Sequence, residues 1–167
     1  MGIRKIVFSS VFLLATVLLV STTSAQSTYP DTLHTGRLRG VILAESTFYA
    51  AGLSYLQFVW YRDHESVPFH WYNDNDGWLQ LDKAGHMYAA YFESEIGYHA
   101  LRWAGVSHKK SLWYGGTLGL VLQTPIEVFD GLYEGYGFSW GDMIANAAGS
   151  ALFITQQAWL GEQAVRM

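Results

Sequence analysis

Residues 83–104 read KAGHMYAAYFESEIGYHALRWA. Apolar residues recur here at helical spacing, with no two-residue alternation and no hairpin turn signal, so the stretch is expected to form a helix. It also carries His86, Glu93, Glu95, His99 and Arg102, too many polar groups for a helix with lipid on every side. Three neighbouring stretches share the period. Residues 40–61 are apolar, with Glu45 as the ionised group. Residues 109–130 hold Gly115, Gly116 and Gly119, whose missing side chains let a neighbour's backbone approach. Pro125 should bend the last turn of that helix and Gly131 should end it. Residues 140–160 offer Ala145, Ala148, Gly149 and Ala151 for close packing. The connections after residues 104 and 130 are short, which makes neighbours antiparallel. The expected fold is all-α: a small antiparallel bundle of about four helices without a sheet, membrane-embedded or membrane-associated.

Composition sets the setting. The chain has 167 residues, enough for one domain with a core. Hydrophobic residues make up 50% and aromatics 16%, whereas charged residues supply 14%, below the usual quarter of a soluble protein. Seven Trp and eleven Tyr suit contact with lipid headgroups. A mean hydropathy of +0.10 is nevertheless low for helices that all face acyl chains, so any embedding is partial. The net charge of -4 leaves no basic stripe for phosphates and argues against nucleic acid. The chain has no Cys, so a disulfide framework, a thiol nucleophile, a thiolate metal site and a lipoprotein acylation cysteine are all absent from it.

The amino terminus reads as an export signal, with MGIRK as a basic region and IVFSSVFLLATVLLV as an apolar run short for a spanning helix. Thr23, Ser24 and Ala25 are small residues at a peptidase site, and cleavage is expected between Ala25 and Gln26; an uncleaved anchor is the competing reading. The chain then divides into a signal peptide over 1–25, a polar segment over 26–39 and the helical domain over 40–167. With the leader removed and four spanning helices, Lys109 and Lys110 would lie outside, against the positive-inside tendency. Either the charge bias is weak or some helices lie on the surface.

The longest connection contains FHWYNDNDGWLQLDKAGH, residues 69–86. Aligned on Gly77 as a calcium loop, Tyr72 fills the first ligand position and Lys83 the closing carboxylate position, so that reading fails. An Asn/Asp/Gly turn with aromatic anchors fits better. Asp82 suits a helix cap, Lys83 a solvated position and His86 a first-turn histidine. Yet His86 and Glu93, seven residues apart, share one helix face. Glu127 and Asp130 are three apart, so their carboxylates are neighbours; if desolvated they repel, and either a proton or a cation such as Lys83, His86 or a metal compensates. A wet helix end is the plainer alternative. Asp142, Asn146 and Gly149 form a third face, where Ser139 and Asp142 also fit a capping box. A buried Asn146 must find partners on other helices. His86, Glu127, Asp130, Asp142 and Asn146 are therefore expected to converge, with Glu93 at the far wall.

FHWYNDNDGWLQLDKAGH, LRWAGVSHKK and IEVFDGLYEGYGFSWGDMIANAAGS together resemble an uncharacterised family of bacterial envelope proteins, the predicted periplasmic lipoproteins (YfiM-like), in their Bacteroidetes form. More distantly, DKAGH, the Glu-bearing third helix and GDMIANAAGS resemble the VanZ family of membrane proteins at Asp82, Lys83, His86, Glu127, Asp142, Asn146 and Gly149. The chain departs from that pattern at Asp130 and Phe138, where VanZ-like chains carry Gln and Arg. The resemblance implies a bacterial cell-envelope location, in the inner or the outer membrane.

Two classes of function follow. In one, the protein is a non-catalytic envelope component whose polar cluster fixes helix register or binds a headgroup, the commoner use of such networks. In the other, it is an enzyme acting on a membrane lipid or lipid-linked envelope molecule. His86 is then general base or metal ligand, Glu127 and Asp130 base or oxygen ligands, and Asp142 with Asn146 orient them. As metal ligands, His86, Glu127, Asp130 and Asp142 make a set that suits zinc or manganese, so a divalent metal is the candidate cofactor. No serine nucleophile motif or phosphate loop is visible.

Overall fold

The structure, a computed structural model, describes residues 29–74 and 80–167. The signal sequence and cleavage site expected over residues 1–26 lie outside the described residues. So does most of the Asn/Asp/Gly turn at 73–77.

Among the described residues there are five α-helices: α1 (Thr35–Tyr55), α2 (Leu81–Trp103), α3 (His108–Tyr114), α4 (Leu118–Asp130) and α5 (Trp140–Trp159). Helix α1 runs on through a π-helical turn, Leu56–Trp60. Among the described residues there are no strands, only isolated bridges between Ser66 and Tyr133 and between Trp71 and Phe138.

Pairings along the helices give their directions. His86 meets Glu127, and Glu93 meets Gln123, so α2 and α4 are antiparallel. His86 meets Asn146 and Ser94 meets Ser150, so α2 and α5 run side by side in the same direction. Helix α1 opposes α2, with the His34 N–H bonded to the Ala104 carbonyl and Arg37 over the Trp103 ring. The result is an up-down bundle in which α2, α4 and α5 form the core and α1 packs lightly on α2.

Glycines set how closely the core helices approach. A Cβ on Gly119 would lie 2.0 Å from the Ala90 carbonyl oxygen, and one on Gly149 2.1 Å from that of Met87. Gly115, whose Cβ would fall 2.3 Å from the Tyr98 nitrogen, marks a break that the sequence does not announce. The single helix expected over 109–130 is divided there into α3 and α4. Gly131 follows α4 as expected, but its φ of -62° is ordinary. Its role is room: a Cβ would lie 2.5 Å from the Phe69 ring. Helix α1 starts at Thr35, inside the polar segment and ahead of the expected start near residue 40, and its first turn is tied to the end of α2.

The interior is unusually polar. Tyr91, Tyr98, Leu112 and Phe153 form the apolar core, while Ser94, Ser111, Gln123, Ser150, Gln156 and Gln157 are also buried. Large apolar side chains face outward instead, among them Phe48, Phe58, Trp113 and Trp159. Among the described residues no helix is long and apolar enough to cross a membrane. Spanning helices, which full embedding would need, are thus not found among these residues. Helix α4 has 13 residues, about 20 Å of rise, and α2 carries charge along its length.

Candidate functional site

The loop after α1 and the loop between α4 and α5 are knitted together at one end of the bundle. Val67 N–H bonds to the Leu132 carbonyl, His70 N–H to that of Gly131, and Tyr72 N–H to that of Phe138. Stacked rings hold the junction, with Tyr61 on Tyr133 and Trp71 on Trp140. These loops wall a cavity of about 940 Å³, lined by Tyr55, Trp60, Tyr61, Tyr72 and Tyr136 on its sides. Asp74, Asp82, His86, Asp130 and Asp142 face it as well.

The residues expected to converge do so. His86 Nδ1 lies 3.2 Å from Asn146 Oδ1, and His86 Nε2 lies 3.5 Å from Glu127 Oε1. Asp142, His86 and Asp82 each bring one ligand atom within 4.8 Å of the others. Asp130 sits beside this group and accepts a 2.5 Å hydrogen bond from the Tyr61 hydroxyl. Glu93 does not join them. It accepts from Gln123 Nε2 at 3.0 and 3.1 Å and lines a separate apolar cavity of about 350 Å³ under α1.

The capping box is half realised. Ser139 Oγ accepts from the Asp142 N–H at 3.2 Å, capping α5 as expected. The return bond goes elsewhere: Ser139 N–H donates to Glu127 Oε2 at 3.2 Å. The Asp142 carboxylate is thereby free to meet Lys83 Nζ at 2.8 Å. Lys83 also meets Asp74 at 2.5 Å, so it is no solvated lysine but the cation between two elements. Asp82 lies in the first turn of α2 rather than at its cap, 3.8 Å from His86.

Electrostatics follow from burial. Glu127 is 1% exposed, and burial, with the nearby Asp142 charge, pushes its carboxyl up to about 8. Burial also raises Asp130 against the opposing hydrogen bond from Tyr61. Burial raises Asp142 despite Lys83. Asp74 is less enclosed; burial pushes it up too, but the hydrogen bonds from Lys83 and Ser139 prevail and hold it below its ordinary range. Burial would lower Lys83, yet Asp142 and Asp74 outweigh it and keep the ammonium charged.

Residues 70–157 match the family described as predicted periplasmic lipoprotein (DUF2279), a match over more than half of the chain. The chain belongs to this family. Membership makes it an exported cell-envelope protein, although it contains no cysteine to carry a thioether-linked lipid. No curated protein and no solved structure matches it. The segment shared with the periplasmic lipoprotein family holds α2 to α5 almost entire, with Asp74, Lys83, His86, Glu127, Asp142 and Asn146; α1 and Tyr61 lie outside it.

Sequence reasoning missed Asp74, Asp82 and Tyr61 as parts of the site. Asp82 had a signal, standing four residues before His86 on the same helix face. Asp74 and Tyr61 had none, because only the packing of the two loops brings them in.

Proposed function

We propose that this protein is a non-catalytic component of the bacterial envelope that binds the polar head of a membrane lipid or lipid-linked envelope molecule in the 940 Å³ cavity. One observation carries the reading: His86, Asp82, Asp130 and Asp142 all line an open cavity together with aromatic side chains, instead of being sealed in the core. A network that only fixed helix register would gain nothing from such an opening. Tyrosine and tryptophan walls with a few convergent polar groups suit a head of mixed polarity. The apolar cavity under α1 shares Tyr55, Leu56 and Ile126 with the polar one, which suits the start of an attached chain. Exposed rings such as Phe58 and Trp113 suit peripheral contact with a bilayer. The resemblance to YfiM-like chains of Bacteroidetes, and more distantly to VanZ at Asp82, Lys83, His86, Glu127, Asp142, Asn146 and Gly149, supports the same setting.

The test is flotation of purified protein with phosphatidylcholine vesicles, plain or doped with phosphatidylethanolamine or phosphatidylglycerol. One doped set should bind more tightly, and His86→Ala with Asp130→Asn should erase that preference while leaving binding to plain vesicles. A preference that survives both substitutions, or none in the parent protein, overturns the reading.

A second reading is favoured by the His86 ring itself. Asn146 holds Nδ1 and turns Nε2 toward Glu127 and the cavity, an arrangement that serves general base catalysis on the same head. Release of a headgroup from doped vesicles, lost in His86→Ala, would replace binding by turnover.

A further inference from the structure

We propose that Asp82, His86, Glu127 and Asp142 hold one first-row divalent metal ion of the zinc class. The ion would share Asp82, His86 and Asp142 with the proposed head-binding cavity, but its binding is read without lipid, so it stands or falls separately from that reading. Three side chains already bring ligand atoms within 4.8 Å of one another, namely an Asp82 oxygen, a His86 nitrogen and an Asp142 oxygen. His86 Nε2 lies 3.8 Å from Asp82 Oδ1 and 3.5 Å from Glu127 Oε1. Ligand atoms in a tetrahedral site with bonds near 2.0 Å stand about 3.3 Å apart, so small side-chain rotations close the set of three, and Glu127 approaches it from the His86 side.

Glu127 supplies the independent observation. Its side chain is 1% exposed, and its Oε1 accepts no hydrogen bond among the described residues. The contact to His86 Nε2 at 3.5 Å is too long to serve as one. An acceptor buried without a donor is costly, and a cation at this point removes the cost. The ring is oriented for the task, since Asn146 Oδ1 accepts from His86 Nδ1 and so leaves Nε2 as the coordinating nitrogen. Charge agrees. The carboxyl groups of Asp74, Asp82, Glu127, Asp130 and Asp142 crowd one end of the bundle, with the Lys83 ammonium against Asp74 and Asp142. Asp130, whose Oδ1 accepts from Tyr61, borders the three side chains that meet without being one of them. A nitrogen donor among carboxylates selects zinc or manganese over magnesium.

The experiment is titration of the untagged, chelator-stripped protein with zinc chloride and, separately, magnesium chloride, followed by calorimetry. One equivalent of zinc should bind with a Kd in the micromolar range or tighter, and magnesium at least a hundredfold more weakly. Asp82→Asn, on a half-exposed side chain, should weaken zinc binding tenfold or more, and His86→Ala should abolish it. Should His86→Ala not fold, melting of Asp82→Asn decides: zinc at a fixed concentration raises the Tm of the parent protein more than that of the variant. No saturable zinc binding at one equivalent, zinc affinity unchanged in the variants, or an equal Tm rise in Asp82→Asn overturns the proposal.

Discussion

At the residue scale, Glu127 is the hinge between the end of α4 and the start of α5. It accepts the Ser139 N–H, the donor that a capping box would have turned toward residue 142. Glu127→Ala strands that buried N–H and should cost about 1–3 kcal/mol in urea denaturation. Glu127→Gln keeps an oxygen acceptor and should cost less than half as much; equal losses would show that the cavity left behind, not the hydrogen bond, sets the penalty. Glu93 offers a pH prediction away from this cluster. Burial raises its carboxyl from 4.5 to about 6, against the hydrogen bond from Gln123. The folded state therefore binds a proton that the unfolded state has released between those values. Stability is greatest below pH 4.5 on this account and falls as the pH rises through 6. Discounted for partial exposure, the loss is about 1 kcal/mol. Glu93→Gln should flatten this slope in melts from pH 4.5 to 7, and an unchanged slope would assign it to another group.

At the scale of elements, the bundle depends on backbone contact more than on apolar volume. Gly119 and Gly149 touch the α2 backbone directly, and no side-chain rotation relieves a Cβ at either position. Gly119→Ala should lower stability by about 3 kcal/mol or more, the cost of forcing packed helices apart. Gly52, near the end of α1 where the helix runs on into its π-helical turn, has nothing within 4 Å of its would-be Cβ. Gly52→Ala should instead stabilise by about 0.5–1 kcal/mol through helix propensity. The same substitution thus has opposite signs in two helices, and thermal melts that moved together would refute this picture of α1 as a lightly packed element.

At the scale of the whole molecule, polarity is distributed in an unusual way, with Ser and Gln buried between helices and aromatic rings outside. Phe48 and Phe58, on α1 and its π-helical turn, are 84% and 72% exposed. Burying two such rings in a bilayer interface is worth about 3–6 kcal/mol. Replacing both by Ser should lower partition into phosphatidylcholine vesicles at least tenfold, while the Tm, which does not depend on exposed side chains, stays within a degree or two. Undiminished partition would move the contact to another face.

Helical periodicity determined α2 and α5 to within two residues, because their apolar faces and their termini are local properties of the chain. It also singled out His86, Glu127, Asp130, Asp142 and Asn146, since polar groups on otherwise apolar faces must find partners wherever the chain folds. Only tertiary structure decided what those partners are. The break at Gly115 exists because Tyr98 approaches there, and no local signal records another helix's backbone. Lys83 becomes the cation between Asp74 and Asp142 because two loops, far apart in sequence, bond to one another across the end of the bundle. Asp74 and Tyr61 enter the site by the same route, whereas Asp82 is brought there by its place four residues before His86: neighbours across the fold are set by packing in space, which a one-dimensional pattern does not encode.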